Sequence, residues 1–281
     1  MSNVARKNLI IGAADNYDWS QLKPWATSIR DSGFDGDVVL LAYRVAPDVV
    51  PNMELLNIQV YQITHDDEGS LIDHNKGGLP TQTHKLRNFH MWQFLKENDY
   101  GMVAVTDTRD VYFQQNPNDF FAEFEAEHPN MIAVPSENVK FCDEPWNYGM
   151  IRKFFGPWVS EMVFTKSTCN SGTFFGPAKL MASTMLTMYF IQKNFNATGV
   201  DQPTLNFLAH ANPHLYHILD HDAGWACQCG TTLDPSKPEF RTAQMSLPPK
   251  IEDTGVTTSD GSPYVIVHQY DRVPELRHLG L

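Results

Sequence analysis

Short apolar segments alternate with amphipathic segments along the first 113 residues, and this alternation constrains the fold more than any other feature of the sequence. The apolar segments have the length of buried strands, and the amphipathic segments repeat their apolar residues with the period of a helix. A strand–helix–strand order of this kind predicts a parallel, doubly wound α/β sheet. The predicted strands are residues 8–14, 37–43, 58–63 and 102–106, and the predicted helices are residues 20–33 and 81–98.

The pattern becomes mixed after residue 113. We predict strands at residues 131–135, 170–177, 215–219 and 264–270, and helices at residues 178–194 and 201–210. Residues 136–169 contain many aromatics and turn formers, and residues 230–262 are rich in loop-forming residues, so we expect both segments to be irregular. Because no linker divides the chain, we expect one domain over residues 1–281, with a first half to about 113 and a second half from about 114.

Composition argues against several classes of protein. The 281 residues carry a formal net charge of −12, whereas a nucleic-acid-binding surface needs a basic field. No run approaches the roughly 18 apolar residues that a membrane-spanning helix requires. The short apolar run near the N-terminus does not have the form of a signal peptide, so we expect a cytoplasmic protein. The four cysteines are too few for a disulfide scaffold, and we interpret them as reduced structural thiols.

Two carboxylates directly follow a predicted buried strand. The stretch "VAVTDTRDVYF" (residues 103–113) leads from that strand into Asp107 and Asp110, and a buried carboxylate is costly unless something neutralises it. Ligands of α/β sheets bind at the carboxyl ends of the strands, and Asp15 follows the first predicted strand in the same way. The alternative is structural, with Asp110 paired to Arg109 or another basic residue and Asp107 capping a turn.

A histidine near the C-terminus supplies a third group that can bind a metal. The stretch "VIVHQYDR" delivers His268 to the end of a β-branched run. A single histidine in that place is more often structural. Together with Asp107 and Asp110, however, it forms a set suited to octahedral Mn²⁺ or Mg²⁺, with positions open to phosphate oxygens. We therefore predict a metal site made of these three residues.

Two other motifs have both a structural and a functional interpretation. Asn170 and Gly172 precede a predicted strand, where a plain turn explains the glycine as well as a close approach to a ligand does. Asp201 and Gln202 stand at the start of a predicted helix. An N-cap role accounts for Asp201, but Gln202 gains nothing from capping.

In this order the motifs resemble those of the GT-A-fold nucleotide-sugar glycosyltransferases. The order is an acid pair after a strand, then Asn-x-Gly, then Asp-Gln-x-x-Leu-Asn, then a strand ending in histidine. It resembles in particular the retaining glycogenin-like and bacterial lipopolysaccharide galactosyltransferase-like group, in which an Asp-x-Asp motif and a late histidine hold a divalent metal. Here Asp107 and Asp110 are separated by two residues instead of one. The resemblance implies a Rossmann-like, mixed and mostly parallel sheet flanked by helices, with an irregular C-terminal half.

The resemblance also implies roles for individual residues. The loop after the first strand would hold the base and ribose of the donor, and a helix before the acidic strand would send it a basic residue. The implied donor-binding residues are Ala13, Asp15, Asn16, Lys85, Arg87, Asp107, Asn170 and Gly172. Asp201 and Gln202 would line the anomeric centre as the candidate catalytic residues.

These roles imply a metal-dependent transfer of a sugar from a nucleotide-sugar to a hydroxyl of a glycan or other acceptor, with retention. Two alternatives remain. A nucleotidyltransferase that makes nucleotide-sugars uses a similar sheet, although the first loop here, "GAADNYDW", lacks the basic, glycine-rich character of that class. A binding module on a decayed glycosyltransferase scaffold would show no turnover, and the intact acid pair, histidine and Asp-Gln pair argue against it.

Overall fold

The structure is a computed structural model that describes residues 6–72, 79–236 and 247–280, with the backbone alone described for residues 79–82. Residues 237–246, in the segment expected to be loop-rich, lie outside the described residues. The described helices are α1 (Trp19–Asp31), α2 (Val49–Leu55), α3 (Leu79–Glu97), α4 (Pro117–Glu127), α5 (Pro145–Val163), α6 (Ala178–Lys193), α7 (Asp201–Ala211) and α8 (Cys229–Thr232). The described strands are β1 (Leu9–Tyr17), β2 (Asp37–Val45), β3 (Gln59–Gln62), β4 (Met102–Thr106), β5 (Val111–Phe113), β6 (Ile132–Lys140), β7 (Ser167–Cys169), β8 (Thr173–Pro177), β9 (Tyr216–Leu219), β10 (Ala226–Gln228), β11 (Lys250–Glu252), β12 (Gly255–Thr257) and β13 (Ile266–His268).

The main sheet has eight strands and is mixed. Its order is β3-β2-β1-β4-β8-β6-β7, with β9 pairing β6. The strands from β3 to β4 are parallel, whereas β8 runs antiparallel to β4, with Thr106 opposite Thr173. The prediction of an α/β fold with a mixed, mostly parallel sheet is confirmed, and the antiparallel strands belong to the second half of the chain.

Helices cover both faces of this sheet because its strands alternate their apolar side chains between two cores. On β1, Leu9 and Ile11 join the core formed with α3, α6 and α7, and Ile10 joins the core formed with α1 and α4. Strand β4 divides its residues in the same way. No helix among the described residues combines the length and the apolarity needed to cross a membrane.

A second, three-stranded sheet joins the end of the chain to the segment after β4. Strand β13 lies between β10, which is parallel to it, and β5, which is antiparallel to it. In this register His268 is opposite both Gln228 and Val111. Residues that are distant in sequence are therefore held side by side at the end of β4.

The segment from 136 to 169 is more regular than expected. Strand β6 continues to Lys140, and the 19-residue helix α5 follows it. The turn formers that suggested irregular structure have specific places: Pro145 is in the first turn of α5, and Gly156 has a φ of 82° at a kink inside the helix. Proline is tolerated in the first turn of a helix, and the non-helical backbone of Gly156 divides α5 into two helical segments.

Candidate metal centre and adjoining cavity

The bend between β4 and β5 brings both acids to one point. The backbone N–H of Asp107 donates to the carbonyl of Gly172 at 2.8 Å. Strand β5 then pairs with β13, and the backbone N–H of Gln269 donates to the carbonyl of Asp110 at 2.6 Å. Each acid is thus fixed through its own backbone, one against the segment before β8 and the other against β13. This explains how two acids separated by two residues still converge on His268.

Asp107, Asp110 and His268 each present one atom to a common point. Nε2 of His268 lies 3.6 Å from Oδ2 of Asp107 and 3.7 Å from Oδ1 of Asp110. Both separations are too long for hydrogen bonds. Nε2 is buried and has no hydrogen-bond partner among the described residues. A buried polar atom without a partner needs an explanation, and a shared cation supplies one.

The other oxygen of each acid is held by an arginine. Arg87 donates from Nη1 to Oδ1 of Asp107 at 3.0 Å, and Arg109 donates from Nη2 to Oδ2 of Asp110 at 3.2 Å. The sequence alternative, in which Asp110 pairs with Arg109, is therefore present in the structure. That ion pair uses only one oxygen of the carboxylate, and it leaves Oδ1 directed towards His268.

The ring of His268 is oriented from behind by Gln228. Nδ1 of His268 is 2.7 Å from Oε1 of Gln228, and Nε2 of Gln228 donates to the hydroxyl of Thr173 at 3.0 Å. Because an amide oxygen only accepts, Nδ1 carries the ring hydrogen of the neutral histidine. The lone pair is then on Nε2, the tautomer that a metal-binding histidine requires.

The electrostatics of the three residues favour a positive charge at their centre. Burial raises the pKa of Asp110, and the negative charge of Asp107 adds to this effect. Burial alone lowers the pKa of His268, but the two carboxylates outweigh it and raise that pKa above its ordinary value. The pKa of Asp107 is well below its ordinary range because His268 and Arg87 outweigh the effect of burial. The two carboxylates thus favour positive charge next to Nε2 of His268, which a divalent cation would supply.

The donor set fits Mn²⁺ or Mg²⁺. Two ligands that share an ion at about 2.1 Å lie no more than roughly 4.2 Å apart, and Nε2 of His268 is 3.6 Å from Oδ2 of Asp107 and 3.7 Å from Oδ1 of Asp110. Gly172 keeps the space open, because a Cβ at that position would lie 2.7 Å from Oδ2 of Asp107 and 2.7 Å from Cε1 of His268. Of the two explanations that the sequence allowed for Gly172, the structure supports the close approach of the backbone to Asp107 and His268.

A cavity of about 460 Å³ opens beside the two acids, within the size range of ligand-binding sites. The predicted site residues that line it are Ala13, Asp15, Asn16, Arg87, Asp107 and Asp110. The lining residues that we did not predict are Tyr17, Gln21, Arg44, Thr83, His84, Thr108 and Arg109. Arg44 stands near the carboxyl end of β2 and Tyr17 ends β1, so the rule on strand ends could have found both.

Asp15 is anchored on one side of this cavity. Arg44 donates to both of its oxygens, from Nε at 2.6 Å and from Nη2 at 3.0 Å, and the hydroxyl of Thr83 donates to Oδ2 at 2.8 Å. Asn16 follows with a φ of 63°, a left-handed conformation that asparagine tolerates better than most residues. Asp15 and Asn16, which we expected to follow the first strand, thus lie in the irregular carboxyl end of β1, which has a fixed shape where it faces the cavity.

Of the two basic residues predicted on α3, only Arg87 lines the cavity. Nζ of Lys85 donates to the carbonyl of Phe195, and Lys85 is not among the cavity-lining residues. The two residues are separated by two positions on a helix and therefore face different directions. We keep Arg87 as a donor-binding candidate and place Lys85 with the packing of the Phe195 segment.

The expected capping role of Asp201 is wrong. The N-cap of α7 is Val200, and Asp201 is already the first helical residue. Its Oδ2 accepts from Nη2 of Arg87 at 2.6 Å, so Arg87 links Asp201 to Asp107. The carboxylate of Asp201, which we expected to cap the helix, is instead part of the network of ion pairs beside the candidate metal centre.

Asn170 and Gln202 belong to a buried polar group next to this network. Nδ2 of Asn170 and Nε2 of Gln202 both donate to Glu137, at 2.8 and 3.3 Å. Oδ1 of Asn170 accepts from the backbone N–H of Gly172 at 2.7 Å. We did not predict a role for Glu137, which lies in a polar stretch, "SEN", just beyond the predicted strand at residues 131–135.

Comparisons with known proteins point to one type of fold. Mouse xyloside xylosyltransferase 1, in its apo form, matches 94% of this chain and 97% of its own, with a TM-score of 0.53 and 13% identity. The glycosyltransferase GlyE of Streptococcus pneumoniae TIGR4 matches 94% of this chain with a TM-score of 0.53 and 12% identity. This chain spans about half of GlyE, 54% of that chain. No protein-family model matches the chain, and no curated protein matches it.

The chain therefore has a GT-A-like glycosyltransferase fold, as its motif order predicted. The identities are low, so the likeness concerns the fold. What the site does is argued from its own residues.

Proposed function

We propose that this protein is a metal-dependent glycosyltransferase that moves a sugar from a nucleotide-sugar to an acceptor hydroxyl. The observation that carries the proposal is the convergence of Asp107, Asp110 and His268 on one point beside the cavity. A bound Mn²⁺ or Mg²⁺ would supply a Lewis acid for the diphosphate leaving group. Such a cation would also explain how a protein of net charge −12 accepts a diphosphate, because a bound ion dominates the local field.

The residues of the chain have distinct tasks in this proposal. Asp107, Asp110 and His268 hold the cation, and Arg87 and Arg109 balance the charge of the two acids. Asp15, Asn16 and Ala13 would contact the nucleoside in the cavity. Asp201 and Gln202 would face the anomeric carbon, where positive charge develops on the sugar in the transition state. The ordered motifs support retention of configuration at that carbon.

The test is a panel of nucleotide-sugars assayed for nucleoside diphosphate release with Mn²⁺ and with Mg²⁺. We expect release with one donor class, its loss in EDTA, and its recovery when the metal is restored. Asp107→Asn should abolish turnover and retain the melting behaviour of the wild type. Full turnover in chelator would contradict the metal role.

Two further measurements separate this proposal from its alternatives. A nucleotidyltransferase would release pyrophosphate from a nucleoside triphosphate and a sugar phosphate, and a binding module would show affinity for a donor without turnover. The anomeric configuration of the product, read by NMR, tests retention, and an inverted product would contradict it.

A further inference from the structure

The carboxylate of Glu137 is buried without an ion pair. Glu137 lies on β6, is 5% exposed, and forms no salt bridge with any of the described residues. An isolated buried carboxylate is costly, so hydrogen bonds must stabilise it. The side chains that donate to this carboxylate are therefore the groups whose orientation it determines.

Four neutral side chains donate to the carboxylate. Oε1 accepts from Asn170 at 2.8 Å and from Gln202 at 3.3 Å. Oε2 accepts from Asn147 at 3.1 Å and from Gln202 at 3.3 Å, and it shares the hydroxyl hydrogen of Thr168, at 3.3 Å, with the carbonyl of Val139 at 3.1 Å. These donors come from α5, β7, the segment before β8 and α7. Glu137 is therefore the common acceptor for four separate parts of the second half of the chain.

A carboxylate accepts and does not donate, so it determines which end of each amide turns towards it. Asn147 and Asn170 both direct Nδ2 to Glu137, and Oδ1 of Asn147 in turn accepts from Nε2 of Gln202 at 2.9 Å. Nε2 of Gln202 thus has acceptors for both of its hydrogens, at Glu137 and Asn147. Its Oε1 is the end left over, and no hydrogen bond to it is present among the described residues.

We propose that Glu137 is a positioning residue that holds Gln202 in one amide orientation, with Oε1 outside the network and able to face the donor sugar. This inference rests on the proposed glycosyl transfer. Positive charge that develops on the sugar ring is stabilised by a carbonyl oxygen already pointing at it, without reorganisation during the reaction. Glu137 acts through Gln202 and has no direct contact with the substrate in this scheme.

The test compares Glu137→Gln with a matched control, Glu161→Gln. Glutamine at 137 has nearly the same shape but can donate as well as accept, so it no longer imposes one orientation on its neighbours. Glu161 is an exposed residue on α5 whose Oε1 accepts from the hydroxyl of Tyr148 at 2.9 Å. We expect kcat to fall roughly 10- to 100-fold in Glu137→Gln, as for a misplaced reacting group. KM for the donor should stay within about 2-fold, and Glu161→Gln should match the wild type.

A double-mutant cycle with Gln202→Leu distinguishes positioning from a general loss of structure. If Glu137 acts through Gln202, Glu137→Gln should have little further effect on kcat in the Gln202→Leu background. Three results would each overturn the proposal. They are additive effects of the two changes on kcat, an unchanged kcat in Glu137→Gln, and a parallel loss of affinity for Mn²⁺ and nucleoside diphosphate in that variant.

A measurement without turnover keeps this inference separate from the proposed function. In the wild type, the side-chain amide hydrogens of Gln202, followed by NMR after selective labelling, should exchange slowly with solvent. They should lose this protection in Glu137→Gln and keep it in Glu161→Gln. Equal exchange in the wild type and Glu137→Gln would refute the positioning role. A wild type that releases no nucleoside diphosphate from any donor would overturn the proposed function alone.

Discussion

At the scale of single residues, the candidate metal centre divides the oxygens of its acids between two tasks. One oxygen of Asp107 and one of Asp110 bind an arginine, and the other oxygen of each faces His268. Arg87 also binds Asp201, so it connects the candidate metal centre to the start of α7. The arrangement keeps buried acids paired and still leaves ligand atoms directed at one point, which is what a cation site requires.

The orientation of the His268 ring by Gln228 leads to a prediction about metal affinity. Gln228→Met keeps a side chain of similar length but removes the acceptor of the ring Nδ1–H. We expect the affinity for Mn²⁺ to fall about 10- to 100-fold, as for other residues that support a metal ligand. Calorimetric titration, or electron paramagnetic resonance of free Mn²⁺, measures the change.

Gln192→Met is the control for this prediction. Gln192 is as buried as Gln228, each being 1% exposed, and its Oε1 accepts from Asn88 at 2.9 Å on α3. Both variants lose a buried hydrogen bond, but only the change at Gln228 touches the cluster. An equal Mn²⁺ affinity in Gln228→Met and Gln192→Met would show that Gln228 does not orient the histidine.

At the scale of elements, strand pairing explains why some site residues could be predicted and others could not. Asp107 directly follows β4 and His268 ends β13, and both strands have clear apolar patterns, so sequence predicted that both residues stand at strand ends. The place of Asp110 depends on the pairing of β5 with β13, and local sequence does not specify that pairing. Which of Lys85 and Arg87 faces the cavity depends on the rotation of α3 about its axis. A periodic pattern with boundaries uncertain by a residue or two cannot predict that rotation.

Glu137 and α5 show a different limit of the sequence. The proline and glycine residues of α5 are typical of turns, and only the tertiary packing of its buried face shows that they are compatible with a helix. Glu137 falls in the segment from 136 to 169 that we expected to be irregular. Its significance comes from donors up to 65 residues away, including Gln202, which no local pattern brings together.

The attachment of α7 predicts how stability depends on pH. His210 on α7 bonds through Nε2 to the carbonyl of Ser167 on β7 at 2.9 Å. Burial lowers the pKa of His210 to about 4, despite that hydrogen bond, from an ordinary value of 6.5. Above pH 6.5 the side chain is neutral in both states. Between 6.5 and about 4 the unfolded chain binds a proton that the folded one does not, so stability falls as the pH falls.

We expect this residue to account for a loss of up to about 3 kcal/mol in the free energy of unfolding between pH 7 and pH 4. His210→Gln retains an N–H donor for Ser167 and has no titrating group, so its stability should decrease less steeply across that range. Urea denaturation of both proteins at several pH values gives the comparison. All other groups titrate in both proteins and cancel, and parallel curves would contradict the assignment.

At the scale of the whole molecule, the main sheet joins the two halves of the chain. Strand β4 pairs with β1 on one side and with β8 on the other. The core that contains Leu9 and Val103 is completed by residues of α6, among them Met181 and Met185. The first half of the chain therefore takes part of its core from the second half.

This continuity leads us to propose a single cooperative domain over residues 1–281. We expect far-UV circular dichroism and tryptophan fluorescence to report the same unfolding transition in the intact chain. A fragment of residues 1–113 should not fold, because it would expose the edge of β4 that pairs with β8 and the apolar surface covered by α6 and α7. An unpaired edge beside an uncovered core also favours aggregation. Separate transitions in the intact chain, or a fragment with a dispersed NMR spectrum and a cooperative transition of its own, would show two independent units.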